Sequence, residues 1–186
     1  MLVLLFMLSL LAAPVEYVAH EGGHYLAARL FGADATLHFD RVTLDRGARL
    51  SDTERLLFLA AGPAIDGIVG VTGLLLLVQR YTPLRLVLAI WLARPLQFLP
   101  PLLGVDLPLF ALAGGLADTD EGQIATTLGL SPRAFIWAEL ALAAPLLALI
   151  VLRLPATRRL AILSVLSIGV IAGWAGWLAW GPLVLP

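Results

Sequence analysis

The chain contains no cysteine and no lysine, and charged residues fill only 13% of its 186 positions. Without cysteine there are no disulfides, iron–sulfur clusters or thiolate metal sites, so a bound metal must be held by histidine, aspartate or glutamate. A soluble domain carries about twice this charged fraction. With 60% of the residues hydrophobic, the expected solvent for this chain is a lipid bilayer. Its 12 basic and 13 acidic residues leave a net charge of −1, which offers no basic field to a nucleic acid and excludes such a partner. Histidine is scarce as well, with three in the chain.

Five stretches are apolar and long enough to cross a bilayer core, which takes about 20 helical residues: roughly 2–31, 53–79, 83–103, 133–153 and 158–183. The first reaches about 45 Å at 1.5 Å per residue, so it must tilt or protrude. No basic residue precedes its apolar pattern, which runs on through Val15, Tyr17, Val18 and Ala19, so it reads as a retained helix rather than a cleaved leader. Between the first two spans, residues 33–50 alternate through Thr36-Leu37-His38-Phe39 and Arg41-Val42-Thr43-Leu44 to Asp45-Arg46-Gly47, the pattern of a short β-hairpin at the membrane surface. Ser51 with Glu54 three residues later predicts a capping box for the next helix. After the third span, Leu99-Pro100-Pro101, Pro108 and Gly114-Gly115 predict a broken or re-entrant stretch, tolerated at membrane depth where it is buried in protein or lines a wet cavity. Thr119-Asp120-Glu121 then caps a short helix through Leu128, Gly129 stops it, and Ser131-Pro132 opens the fourth span. The expected fold is an all-α polytopic membrane protein of about five transmembrane helices in one integral domain, 1–186. Five loop arginines on one side against six on the other leave its orientation open.

The chemistry concentrates in His20-Glu21-Gly22-Gly23-His24. On a helix, positions i and i+4 share a face, so both imidazoles can grip one Zn²⁺ while Glu21 serves as general base. Polar groups are costly in lipid and tend to mark function there. Gly22 and Gly23 each cost about 1 kcal/mol relative to alanine in a helix; the expected return is close approach of a substrate backbone or a neighbouring helix. A catalytic zinc needs a third protein ligand and an open position. The candidates are Glu16, Asp66, Asp106, Asp118 and Asp120, with Glu16, one turn before His20, better suited to accept a hydrogen bond from an imidazole.

These residues resemble the site-2 protease family of intramembrane zinc metalloproteases. His20-Glu21-Gly22-Gly23-His24 is similar to the family's zinc motif, Ala61-Gly62-Pro63-Ala64-Ile65-Asp66 to its Gly-Pro-x-x-Asn element with Asp66 in the Asn position, and the hairpin to its membrane-associated β segment. The likeness spans 1–130, followed by two further transmembrane helices in 133–183. Gln97-Phe98-Leu99-Pro100 ending at Asp106 imitates the spacing of the family's third element, but lacks its Asn and its Asp-Gly. Thr119 to Ala125 resembles the acidic helix start of small, divergent members. The resemblance implies Zn²⁺ held by His20, His24 and Asp120, Glu21 as the catalytic base, and a membrane-protein substrate held near the hairpin and Gly62, Pro63 and Asp66. It implies hydrolysis of peptide bonds in or near transmembrane segments, at the cell membrane. The rival expectations are a non-proteolytic assembly or transport factor that keeps the fold, and a structural membrane protein without metal.

Of the remaining ionisable groups in apolar surroundings, Arg94 is expected to pair with Glu139, Asp66 or Glu16, in that order. His38 reads as a surface histidine. Trp174, Trp177 and Trp180 read as an interfacial belt, with Gly173 and Gly176 beside them marking close helix packing.

Overall fold

A computed structural model describes residues 1–103 and 115–185; Asp106, Pro108 and Gly114 lie outside these residues. The order of elements among the described residues is α1 (Leu2–Leu30), β1 (Ala35–Leu37), β2 (Val42–Leu44), α2 (Asp52–Gln79), α3 (Pro83–Ala89), a 3₁₀ helix (Ile90–Phe98), α4 (Leu99–Leu102), α5 (Asp120–Thr127), α6 (Pro132–Arg153), a single 3₁₀ turn (Ala156–Arg158) and α7 (Arg159–Val184). Among the described residues four helices are long and apolar enough to cross a membrane: Leu2–Leu30, Asp52–Gln79, Pro132–Arg153 and Ala156–Val184. The expected third span is instead divided among α3, the 3₁₀ helix and α4. Pro95 within it has no N–H to give to an α-helical ladder. A nine-residue 3₁₀ run is unusually long, and its three-residue turn stacks Trp91, Arg94 and Gln97 along one side.

Close approach between helices is built from small residues. Pro14 leaves the Leu10 carbonyl of α1 without its i+4 donor, and Gly173 of α7 backs onto that carbonyl where a Cβ would clash. One turn earlier, a Cβ on Gly169 would lie 2.6 Å from the Ser9 Cβ. Ser9 is fully buried, and its hydroxyl donates to the Leu5 carbonyl at 2.7 Å. The close-packing glycines of α7 are thus 169 and 173, whereas Gly176 meets nothing within 4 Å. On α2, Gly62, Asp66, Gly70 and Gly73 share one buried face. Gly70 packs against Leu92, and Gly73 against the backbone of Leu88 and Ala89. Leu74, Leu77, Leu86, Ile150 and Ile162 fill the main apolar core between these helices, while Phe98, Leu102, Ile136 and Leu140 form a second one.

The hairpin is antiparallel, with Ala35 opposite Leu44 and Leu37 opposite Val42. Its connection is His38 to Arg41, so the Asp45-Arg46-Gly47 turn follows the second strand, with Gly47 at φ 103°. The end of α7 clamps it: Phe39 N–H donates to the Leu185 carbonyl at 3.1 Å, and Trp177 Nε1–H donates to the Phe39 carbonyl at 3.0 Å. Trp174 Nε1–H donates to Tyr17 Oη at 2.6 Å. Two of the three expected belt tryptophans therefore tie elements together, and only Trp180, 67% exposed, stands free of the fold.

Candidate metal centre

The capping box of α2 forms as the sequence predicts: Ser51 N–H donates to Glu54 Oε2 at 2.8 Å while the Ser51 hydroxyl accepts from Glu54 N–H. This fixes where α2 starts, and α2 then lies along the histidine face of α1. A Cβ on Gly23 would sit 2.7 Å from the Ala61 carbonyl, so this glycine brings α1 and α2 together; Gly22 faces open space. The two imidazoles are almost wholly enclosed, His20 at 1% and His24 at 3% exposure.

Their Nδ1 atoms are held by groups that only accept. His20 Nδ1–H donates to Asp66 Oδ2 at 2.7 Å, and His24 Nδ1–H donates to the Phe58 carbonyl at 2.7 Å. With Nδ1 engaged in this way, Nε2 is the nitrogen of each ring available to a metal. Those nitrogens are 3.1 Å apart, and Asp120 Oδ2 lies 3.0 Å from His20 Nε2 and 3.1 Å from His24 Nε2. A tetrahedral Zn²⁺ with bonds of about 2.0–2.2 Å separates its ligand atoms by roughly 3.3 Å, so the triangle fits one within a few tenths of an ångström. The three residues form the group of the described chain that could hold a metal ion.

Gly62 completes the cradle. A Cβ there would come within 2.6 Å of His20 Nε2 and closer still to His24 Nε2. This glycine and Asp66, for which a substrate-holding role was expected, face the imidazoles. Asp66 is 3% exposed, and its Oδ2 accepts both His20 Nδ1–H and Arg94 Nη1–H, each at 2.7 Å. Neither of them, nor Pro63 inside α2, lines the adjoining cavity. Glu16 does line it, but the acceptor role expected of Glu16 belongs to Asp66. The partner of Arg94 is likewise Asp66 rather than Glu139, whose Oε2 is buried without a hydrogen bond.

Asp120 reaches the site because Thr119 ends the preceding turn: its hydroxyl accepts from Gly122 N–H at 3.1 Å and starts α5. Gly122 has no Cβ to collide with the Leu116 carbonyl, which lets 115–118 fold against the helix. Asp118, two residues before, is exposed. Burial raises the Asp120 carboxyl, but its hydrogen bonds with His20 and His24 in the metal-free chain outweigh it and hold the group well below the usual carboxylate range. Burial pushes the neighbouring Glu121 carboxyl up.

A cavity of about 1720 Å³ leads away from the centre, lined by α1, the hairpin, the start of α2, the 3₁₀ helix, α5, α6 and α7. Glu21, 8% exposed, lies on its wall beside His20 and His24. α6 packs on the 3₁₀ helix and α5 while α7 packs on α1; the two consecutive helices meet in the core at Ile150, Leu154, Ile162 and Leu166, and both contribute to the cavity wall. Sequence reasoning did not find the orienting role of Asp66 or the cradle at Gly62; an acid in the middle of an apolar span, costly in lipid, was the available signal for the first. Compared with protein-family models, with curated proteins and with solved structures, the chain matches none.

Proposed function

We propose that the chain is an intramembrane zinc metalloprotease of the cell membrane, in which 83–103 makes a fifth passage across the bilayer. The 3₁₀ helix rises about 2.0 Å per residue, so α3 through α4 extend roughly 34 Å, enough for a hydrocarbon core. The observation that carries the proposal is the convergence of two Nε2 atoms and one carboxylate oxygen, at 3.0–3.1 Å, from residues a hundred positions apart. A metal ion can take the place of the protons these atoms share in the metal-free chain. The ion that these ligands would suit is Zn²⁺, which when bound would supply Lewis acidity toward a carbonyl and acidify water.

The protein's own groups do the rest. Asp66 and the Phe58 carbonyl fix the two imidazoles; His20, His24 and Asp120 hold the ion. Glu21 takes a proton from the attacking water as its oxygen bonds to the peptide carbon, the carbonyl π pair moving to oxygen. The adduct then collapses, the C–N bond breaks, and Glu21 returns the proton to the leaving nitrogen. The cavity walled in part by α6 and α7 is the place for an unwound transmembrane segment of a partner protein, and the hairpin on its wall offers a strand edge. Glu21→Gln keeps the shape and removes the base. Zinc content and thermal stability are expected to stay, while cleavage of a membrane-protein substrate falls by about 10²–10⁴. If cellular activity survives Glu21→Gln but not His20→Ala, the metal is structural and the chain is a non-proteolytic factor.

A further inference from the structure

The geometry points to Arg94 as the group that holds the negative charge on the attacked carbonyl oxygen, an inference that rests on the proteolytic reading above. Arg94 sits in the 3₁₀ helix with its guanidinium reaching the metal cradle. Its Nη1–H donates to Asp66 Oδ2 at 2.7 Å, which fixes the plane of the group. Nη2 lies 3.1 Å from His20 Nε2. With His20 Nδ1–H given to Asp66, Nε2 has at most one in-plane lone pair to offer the Arg94 N–H. The same lone pair is the one a metal takes. The two uses exclude each other. When the imidazole turns its lone pair to an ion, the Arg94 N–H loses its acceptor while Asp66 still holds it beside the site, on the cavity wall.

A purely structural ion pair would present its guanidinium to the carboxylate and leave no donor at the ligand triangle. Here one carboxylate, Asp66, orients a ligand imidazole and the cation beside it. Arg94 Nε is also buried with no hydrogen-bond partner. A freed, rigidly placed donor next to the place where a carbonyl is attacked is what stabilises a developing oxyanion. Arg94 donates hydrogen bonds throughout and transfers no proton.

The test uses the full chain, zinc-loaded, in detergent micelles. Wild type, Arg94→Lys, Arg94→Gln and the doubly neutral Arg94→Gln/Asp66→Asn are compared for zinc content, and for affinity toward inorganic phosphate, an anion, and imidazole, a neutral ligand. The expected result is equal zinc in wild type and the two single variants, zinc retained at saturating metal in the double variant although losing the Asp66 carboxylate weakens its affinity about 10–100-fold, and imidazole affinity within about threefold throughout. Phosphate binding should be weakened at least about tenfold in both glutamine variants and less in Arg94→Lys. Should Arg94→Gln fail to fold with Asp66 left unpaired, the double variant carries the comparison. Unchanged phosphate affinity with zinc retained overturns this inference alone. Loss of zinc on removing Arg94, or failure of both glutamine variants to fold, makes Arg94 structural and overturns it too. A wild type without zinc overturns the metal reading itself.

Discussion

Gly62→Ala is the sharpest perturbation the cradle allows, because it adds one methyl group and no charge. The added Cβ would stand 2.6 Å from His20 Nε2 and Cε1, against 3.4 Å for the near limit of ordinary contact, so the ring must retreat by about 0.8 Å. Metal–ligand distances tolerate about 0.2 Å. Disturbing the groups around a ligand already costs about 10–100-fold in affinity, and here the ligand atom itself moves, so zinc affinity is expected to fall at least about 100-fold. Alanine also gains about 1 kcal/mol of helix propensity over glycine, which opposes any general loosening of α2. The assay is competition for zinc against a chelating dye at neutral pH. Gly67→Ala on the same helix and Gly22→Ala between the two histidines serve as controls, since neither Cβ would meet anything within 4 Å. Wild-type zinc affinity in Gly62→Ala would falsify the placement of the ion against this glycine.

Three further outcomes are expected. Asp120→Ala should abolish tight zinc binding while Asp118→Ala, exposed two residues earlier, leaves it within about threefold, read by the same competition. The Asp120 carboxyl is held below its ordinary value near 3.9, so its contribution to folding is present above that value and lost as pH falls through the lowered one. The metal-free Asp120→Asn variant should therefore melt below wild type at neutral pH, the two converging in strong acid; a constant gap across pH would refute the assignment. Gly173→Leu must push against the Leu10 carbonyl and should destabilise α1–α7 packing by about 1–3 kcal/mol or more, whereas Gly176→Leu, facing open space, should not; equal melting temperatures for both would contradict this packing.

The parts of the fold legible in the sequence are those set by neighbours along the chain. The Ser51–Glu54 box, the Thr119 cap, the four long apolar helices and the paired strands in 33–50 all follow from local periodicity and local hydrogen bonding. The i, i+4 spacing likewise puts His20 and His24 on one face. What the sequence concealed depends on contacts between helices. Asp66 meets His20 across 46 residues, and only the glycine face of α2 brings them together. The 3₁₀ stretch was hidden because 83–103 has the length and the leucine-rich flanks of one span, despite Arg94, Pro95 and Gln97 within it. Its tighter winding shows in the backbone, where it aims Arg94 at Asp66 rather than at Glu139.

The most direct measurement is the zinc content of the purified full chain after washing with a weak chelator, determined by elemental mass spectrometry. Convergence of His20, His24 and Asp120 on one ion predicts about one Zn²⁺ per chain in the wild type and almost none in His20→Ala/His24→Ala. A wild type that carries no zinc, or a double variant that carries as much, would contradict it.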